Sequence, residues 1–174
     1  MRRMSTLEQI RFWYLYNSHV RKRYLRAILA LPRDEALKDR GASFPSIVDI
    51  FVHVLDGYRF FFIGIIDGKP ESEYPSWMGD TKLEQLQERE KQVDTIVLNK
   101  INDFSEKDLD QVVFHDFDLK SVLNHMVEEE LQHRGETNAL FWQMNIEPPI
   151  SGIEDAEYIK KHLANAKCEL CESN

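Results

Sequence analysis

Cysteine, proline and glycine are scarce in this sequence: two, six and seven of 174 residues. Two cysteines cannot build the disulfide framework of a small secreted domain. Both, Cys168 and Cys171, belong to a single C-x-x-C near the end of the sequence. Zinc sites of this kind use two such pairs, so the lone pair reads as part of a reduced, solvated tail. The few turn-forming residues are grouped between long stretches free of both, which argues against a turn-rich all-β domain and for helices. Long apolar runs are missing too. The longest uncharged one, Phe60–Ile66, is far too short to cross a bilayer, and Glu8 and Arg11 interrupt any secretory-signal core. A cytoplasmic protein with no membrane partner is expected.

Positive charge is also in deficit, with 22 Lys and Arg against 30 Asp and Glu, for a net charge of -8. Such a chain is poorly suited to grip nucleic acid, where affinity comes from counterions released at Lys and Arg contacts. The basic residues that exist gather early: Arg2, Arg3, Arg11, Arg21, Lys22, Arg23 and Arg26. An arginine-rich amphipathic start can be a transit peptide. Here the apolar spacing continues smoothly through it, which points instead to a first helix with a basic outer face. Hydrophobic residues at 43% and charged residues at 30% fit one globular domain, placed at residues 1–167 with a tail at 168–174.

Four long helices follow from the periodicity. The first opens at Ser5, with Glu8 completing a capping box, and runs through Leu7, Ile10, Tyr14, Tyr24 and Ile28 to Pro32. A polar connection leads to a second helix starting near Ser43–Pro45, apolar nearly all round, and stopped by Gly68 and Pro70. Residues 68–79 read as a loop whose Tyr74 and Trp77 fold back. Thr81 and Glu84 suggest a second capping box, opening a third helix that carries Leu86, Val93, Val97 and Ile101. Val112–Phe117 is β-branched and extended, a short strand or hairpin. Asp118 then caps a fourth helix reaching about Met144, and a short last helix spans about Asp155–Ala166. The expected fold is all-α: a four-helix bundle with a short extended segment before the fourth helix and a short C-terminal helix.

The chemistry sits on the fourth helix. At 100° per residue, Leu119, Val122, Leu123, Met126, Thr137, Leu140, Phe141 and Met144 share one face. Glu130 and His133 fall inside that stripe, Glu129 on its edge and His125 further round. Polar groups at core positions are costly unless satisfied. A metal ion satisfies them well, because residues four apart lie one above the other; a buried His–Glu hydrogen bond, or contact with water, is the alternative. Glu130 and His133 form a Glu-x-x-His, the unit that di-iron bundles use twice. No second copy exists, so a dinuclear site is not expected, and Glu130 is assigned to orienting a ligand histidine. His53 on the second helix is the best third ligand, although with Asp49 and Asp56 it also fits a solvated polar face. His19, His115 and His162 lack convincing partners.

Three segments in order resemble the DinB-like (damage-inducible) superfamily of helical bundles, over nearly the whole chain. Gly41 to His53 resembles that family's lead into the helix bearing its first histidine ligand. His125-x3-Glu129-Glu130-x2-His133-Arg134-Gly135-Glu136 resembles its His-x3-His-Glu-x-His-His-Arg-Gly-Gln, and Asn145 to Pro149 its Gly-Val-x-Pro-Pro ending. The resemblance implies one divalent ion (Zn, Ni, Fe or Mn) held by His53, Glu129 and His133, with Glu129 standing where the family usually has histidine. It also implies a homodimer acting on a small molecule, with a low-molecular-weight thiol among the candidates. The expected function is a metal-dependent enzyme, a thiol-dependent transferase or a hydrolase in stress or detoxification. The alternative is a non-catalytic metal-binding or structural dimer.

Overall fold

The computed structural model describes residues 4–149 apart from Thr81, together with Ser151, Gly152, Asp155, Glu157, Ile159 and Lys161. It is mostly helical, with one small antiparallel ladder. Helix α1 (Thr6–Leu29) opens on the expected capping box of Ser5 and Glu8. The polar connection that follows holds a single extra turn, α2 (Arg33–Ala36). Helix α3 (Ile47–Arg59) begins later than expected. Its N-cap is Ser46, which forms a capping box with Asp49, so Pro45 lies just outside the helix rather than in its first turn.

Helix α3 then loosens into a π-helical stretch, Phe60–Ile66. Its apolar run hides any change of period, so nothing in the sequence announces it. Tyr74 and Trp77 do fold back. A side chain at Gly64 would collide with the Tyr74 hydroxyl, and Trp77 lies under the Arg59 guanidinium, 3.7 Å from carbon to ring centroid. Asp56 pins this loop, its Oδ2 accepting from Ser76 Oγ at 2.7 Å and from the Trp77 amide at 2.7 Å.

The third long helix, α4 (Leu86–Asp103), is preceded by a 3-10 turn, Leu83–Gln85, and has no side-chain cap at Gln85. Its α-helical part therefore begins a turn later than the sequence pattern suggested; the proposed cap at Thr81 lies outside the described residues. Strands β1 (Val112–Phe114) and β2 (Phe117–Asp118) form the expected hairpin, with His115 at φ 49° in its turn. Helix α5 (Leu119–Gln143) is capped by Asp118 as expected. Asp155, Glu157, Ile159 and Lys161 are helical; the remainder of the expected last helix, with His162, and the tail that carries Cys168 and Cys171 lie outside the described residues.

Helix α3 packs on α4 and α5, and α1 on the same two helices. Ile28, Ile47, Leu55, Phe62, Leu86, Leu123, Met126 and Phe141 are among the fully buried residues that fill the core. The first helix turns only part of its basic charge outward: Arg26 is exposed and Lys22 nearly half exposed, while Arg21 is buried. Arg21 is 4% exposed, within 2.8 Å of Asp94 and 2.7 Å of Glu130. Arg11 donates to the carbonyls of Ile101, Asn102 and Phe104, satisfying the end of α4. His19 is partnered after all: its Nε2 lies 3.1 Å from Asp155 Oδ1, which Arg23 also holds.

Candidate metal centre

Helices α3 and α5 bring His53, Glu129 and His133 together. One ligand atom from each lies within 4.8 Å of the other two. His53 Nε2 and His133 Nε2 are each 3.1 Å from Glu129 Oε1. The imidazoles stand edge to face, with centroids 4.7 Å apart. All three residues are partly buried, so the cluster borders solvent without dissolving into it. Burial pushes the Glu129 carboxyl upward, but hydrogen bonds from His53 and His133 and their charge outweigh it, holding it below the ordinary glutamate range.

The tautomer of His133 bears on what fits here. Its Nδ1 lies 3.2 Å from Glu136 Oε2. A neutral ring carries one proton for its two nitrogens, and Nε2 likewise lies 3.1 Å from Glu129 Oε1, so whichever nitrogen holds the proton, the other turns its lone pair to a carboxylate. Two acceptors then face each other, at 3.1 Å or 3.2 Å. A second proton on the ring relieves that contact, and so does a metal ion on Nε2 with the proton on Nδ1. Two imidazoles and a carboxylate are a common donor set for a divalent transition metal with open positions. The residues present fit such an ion.

Glu136 is the orienting carboxylate, and Glu130, to which the sequence reading gave that role, is not. Glu130 is buried and bonded elsewhere, accepting from Tyr58 Oη at 2.6 Å, Arg21 at 2.7 Å and Arg134 at 3.0 Å. Glu136 is fixed in turn by the Ser43 amide and hydroxyl, both at 2.6 Å. Phe44 stacks on His53 with centroids 4.2 Å apart. The residues leading into α3 thus hold both histidines. Sequence reasoning missed Glu136 and Phe44. The i, i+3 spacing of His133 and Glu136 on one helix face was the available signal for the first; the second had none.

His125 does not join the cluster. Its ring lies against Phe61, centroids 5.5 Å apart. It lines a cleft of about 380 Å³ whose wall also includes His53, Glu129, Gly57, Phe61 and Met126. The site therefore opens sideways into a space large enough for a small molecule. Asp49 and Asp56, grouped with His53 on the wheel, are spent on the helix cap and on the loop.

No helix among the described residues is long and apolar enough to cross a membrane. Comparison with curated proteins finds no match. The model of the DinB family matches residues 4–162, a span that includes all three clustered residues and Glu136. The chain therefore belongs to the DinB family.

Proposed function

We propose that this protein binds one divalent metal ion through His53, Glu129 and His133 and acts on a small molecule admitted by the adjoining cleft. The observation that carries the reading is the convergence of one donor atom from each of His53, Glu129 and His133, all within 4.8 Å of one another, beside an open cleft. An ion bound there would supply Lewis acidity for hydrolysis, or hold a low-molecular-weight thiol as its thiolate for transfer to an electrophile. His53 and His133 would hold the ion, Glu129 would offset part of its charge, and Glu136 would keep His133 in the ligating tautomer. In this reading the four long helices form a four-helix bundle, a single domain spanning residues 1–167.

A second reading, a non-catalytic metal-binding or structural homodimer, draws on a different observation. Val112, Phe117 and Phe60 are 60%, 58% and 41% exposed, and Phe60 meets Phe114 of the hairpin edge to face. An apolar patch of this kind suits association with a second copy. His133→Ala separates the two readings. Loss of metal together with turnover of thiol or ester substrates, with helical content retained, supports the enzyme. Loss of thermal stability with no turnover in the wild type supports the structural dimer.

A further inference from the structure

The hairpin, the π-helical stretch and the start of α5 enclose a second space that the candidate centre does not use. Phe61, Phe114, Phe117, Ser121, Val122 and His125 surround about 310 Å³. Phe61 meets Phe114 edge to face with centroids 6.4 Å apart, and His125 meets Phe61 at 5.5 Å. Phe61 and His125 also line the cleft beside the centre, so pocket and cleft share a wall. None of His53, Glu129 and His133 lines the pocket. Its chemistry is narrow. Three phenyl rings and Val122 supply apolar surface, and no Asp, Glu, Lys or Arg is among the lining residues. Of the two polar residues, Ser121 is tied to Asp118. His125 touches the Phe61 ring, and neither of its nitrogens has a hydrogen bond to another described residue. An imidazole at the edge of an apolar pocket, with its nitrogens unspent, gives a ligand one hydrogen-bonding anchor.

We infer that this pocket binds a neutral aromatic alcohol of phenol size, its ring among Phe61, Phe114 and Phe117 and its hydroxyl on His125. This goes beyond the metal reading and does not rest on it. The pocket exceeds the roughly 150 Å³ that accommodates a benzene ring, so a substituted ring fits. Aromatic walls add edge-to-face and offset contacts to the apolar area that such a ring buries. A phenol hydroxyl both donates and accepts, so it pairs with either tautomer of the neutral imidazole. A permanent charge on the ring would have only His125 to answer it.

Phenol and toluene are the probes, titrated against the full chain by saturation-transfer NMR. Both are expected to bind the wild type. His125→Phe keeps a ring on Phe61 and removes the anchor, so phenol is expected to weaken about three- to tenfold while toluene does not weaken. Ser121→Trp fills the pocket from a residue that does not line the cleft. It is expected to weaken both probes at least tenfold with helical content retained. Phe117→Ala, at an exposed position, removes one wall and is expected to weaken both; it decides the matter if the tryptophan variant does not fold. Phenol that does not bind the wild type, or that binds His125→Phe equally well, overturns the inference. So does undiminished binding of both probes to Ser121→Trp, which would place them in the cleft. Sedimentation velocity on the same samples reads the competing occupant: a wild-type dimer that excludes both probes overturns the inference and gives this face to a second copy. Metal content, measured on separate samples without chelator, keeps the claims apart. Metal bound without the probes overturns the pocket alone, and probes bound without metal overturn the metal reading alone.

Discussion

Glu136 offers the sharpest perturbation of the centre, because it touches a proposed ligand without being one. Its Oε2 lies 3.2 Å from His133 Nδ1, and it accepts at 2.6 Å from both the amide and the hydroxyl of Ser43. Replacing it with alanine frees the imidazole to rotate and to protonate the wrong nitrogen, and it releases the segment that carries Phe44 onto His53. Removing an outer partner of a metal-binding histidine typically costs about 10–100-fold in metal affinity. That corresponds to about 1.4–2.8 kcal/mol. Glu136→Gln keeps one acceptor oxygen and should fall between the wild type and Glu136→Ala. Glu128→Ala, an exposed change on the same helix, should leave affinity unchanged. Competition against a chromogenic zinc chelator reads these affinities, and the stoichiometry at saturating metal should stay the same in all three variants. A Glu136→Ala affinity within twofold of wild type would refute the assignment.

Other outcomes follow from the buried charges. Arg21→Met leaves Glu90, Asp94 and Glu130 around an apolar side chain and should cost about 3–5 kcal/mol in urea unfolding; a loss below 1 kcal/mol would show that the cluster is not dry. Tyr58→Phe removes the 2.6 Å donor to Glu130 and should cost about 1.5–3 kcal/mol, with no change in metal stoichiometry. Burial raises the Glu90 carboxyl against the opposing pull of Arg21. A carboxyl raised on folding stabilises the fold below its unfolded value of about 4.3 and withdraws that support as pH climbs through the folded value. Glu90→Gln should therefore match or exceed wild-type stability at pH 7, by about 1 kcal/mol, and lose that advantage near pH 4; denaturant midpoints at the two pH values check the sign.

Much of the fold was legible because its signals are local. Ser5 with Glu8 and Asp118 with Ser121 lie within one turn of each other, and apolar spacing needs only a single helix. The later start of α4 was harder, since the same residues serve a 3-10 turn before the α-helix begins. The π-helical stretch was invisible in an unbroken apolar run. In the centre, Glu129 and His133 could be read from an i, i+4 pair, whereas His53, the best third ligand on offer, stood on a polar face that periodicity assigned to solvent; the resemblance strengthened that choice. Glu130 was recognised as a costly polar group in a core stripe, but its partners Arg21 and Tyr58 come from other helices, 109 and 72 residues away. No pattern along one helix contains that information, and the same is true of Ser43, 93 residues from Glu136.

The central claim is that His53, Glu129 and His133 hold a metal ion. Elemental analysis of the purified protein beside the His53→Ala/His133→Ala double variant tests it most directly. The account predicts about one equivalent of a transition metal in the wild type and none in the variant. A wild-type protein that carries no metal, and takes up none when offered zinc, nickel, manganese or iron(II), would contradict it.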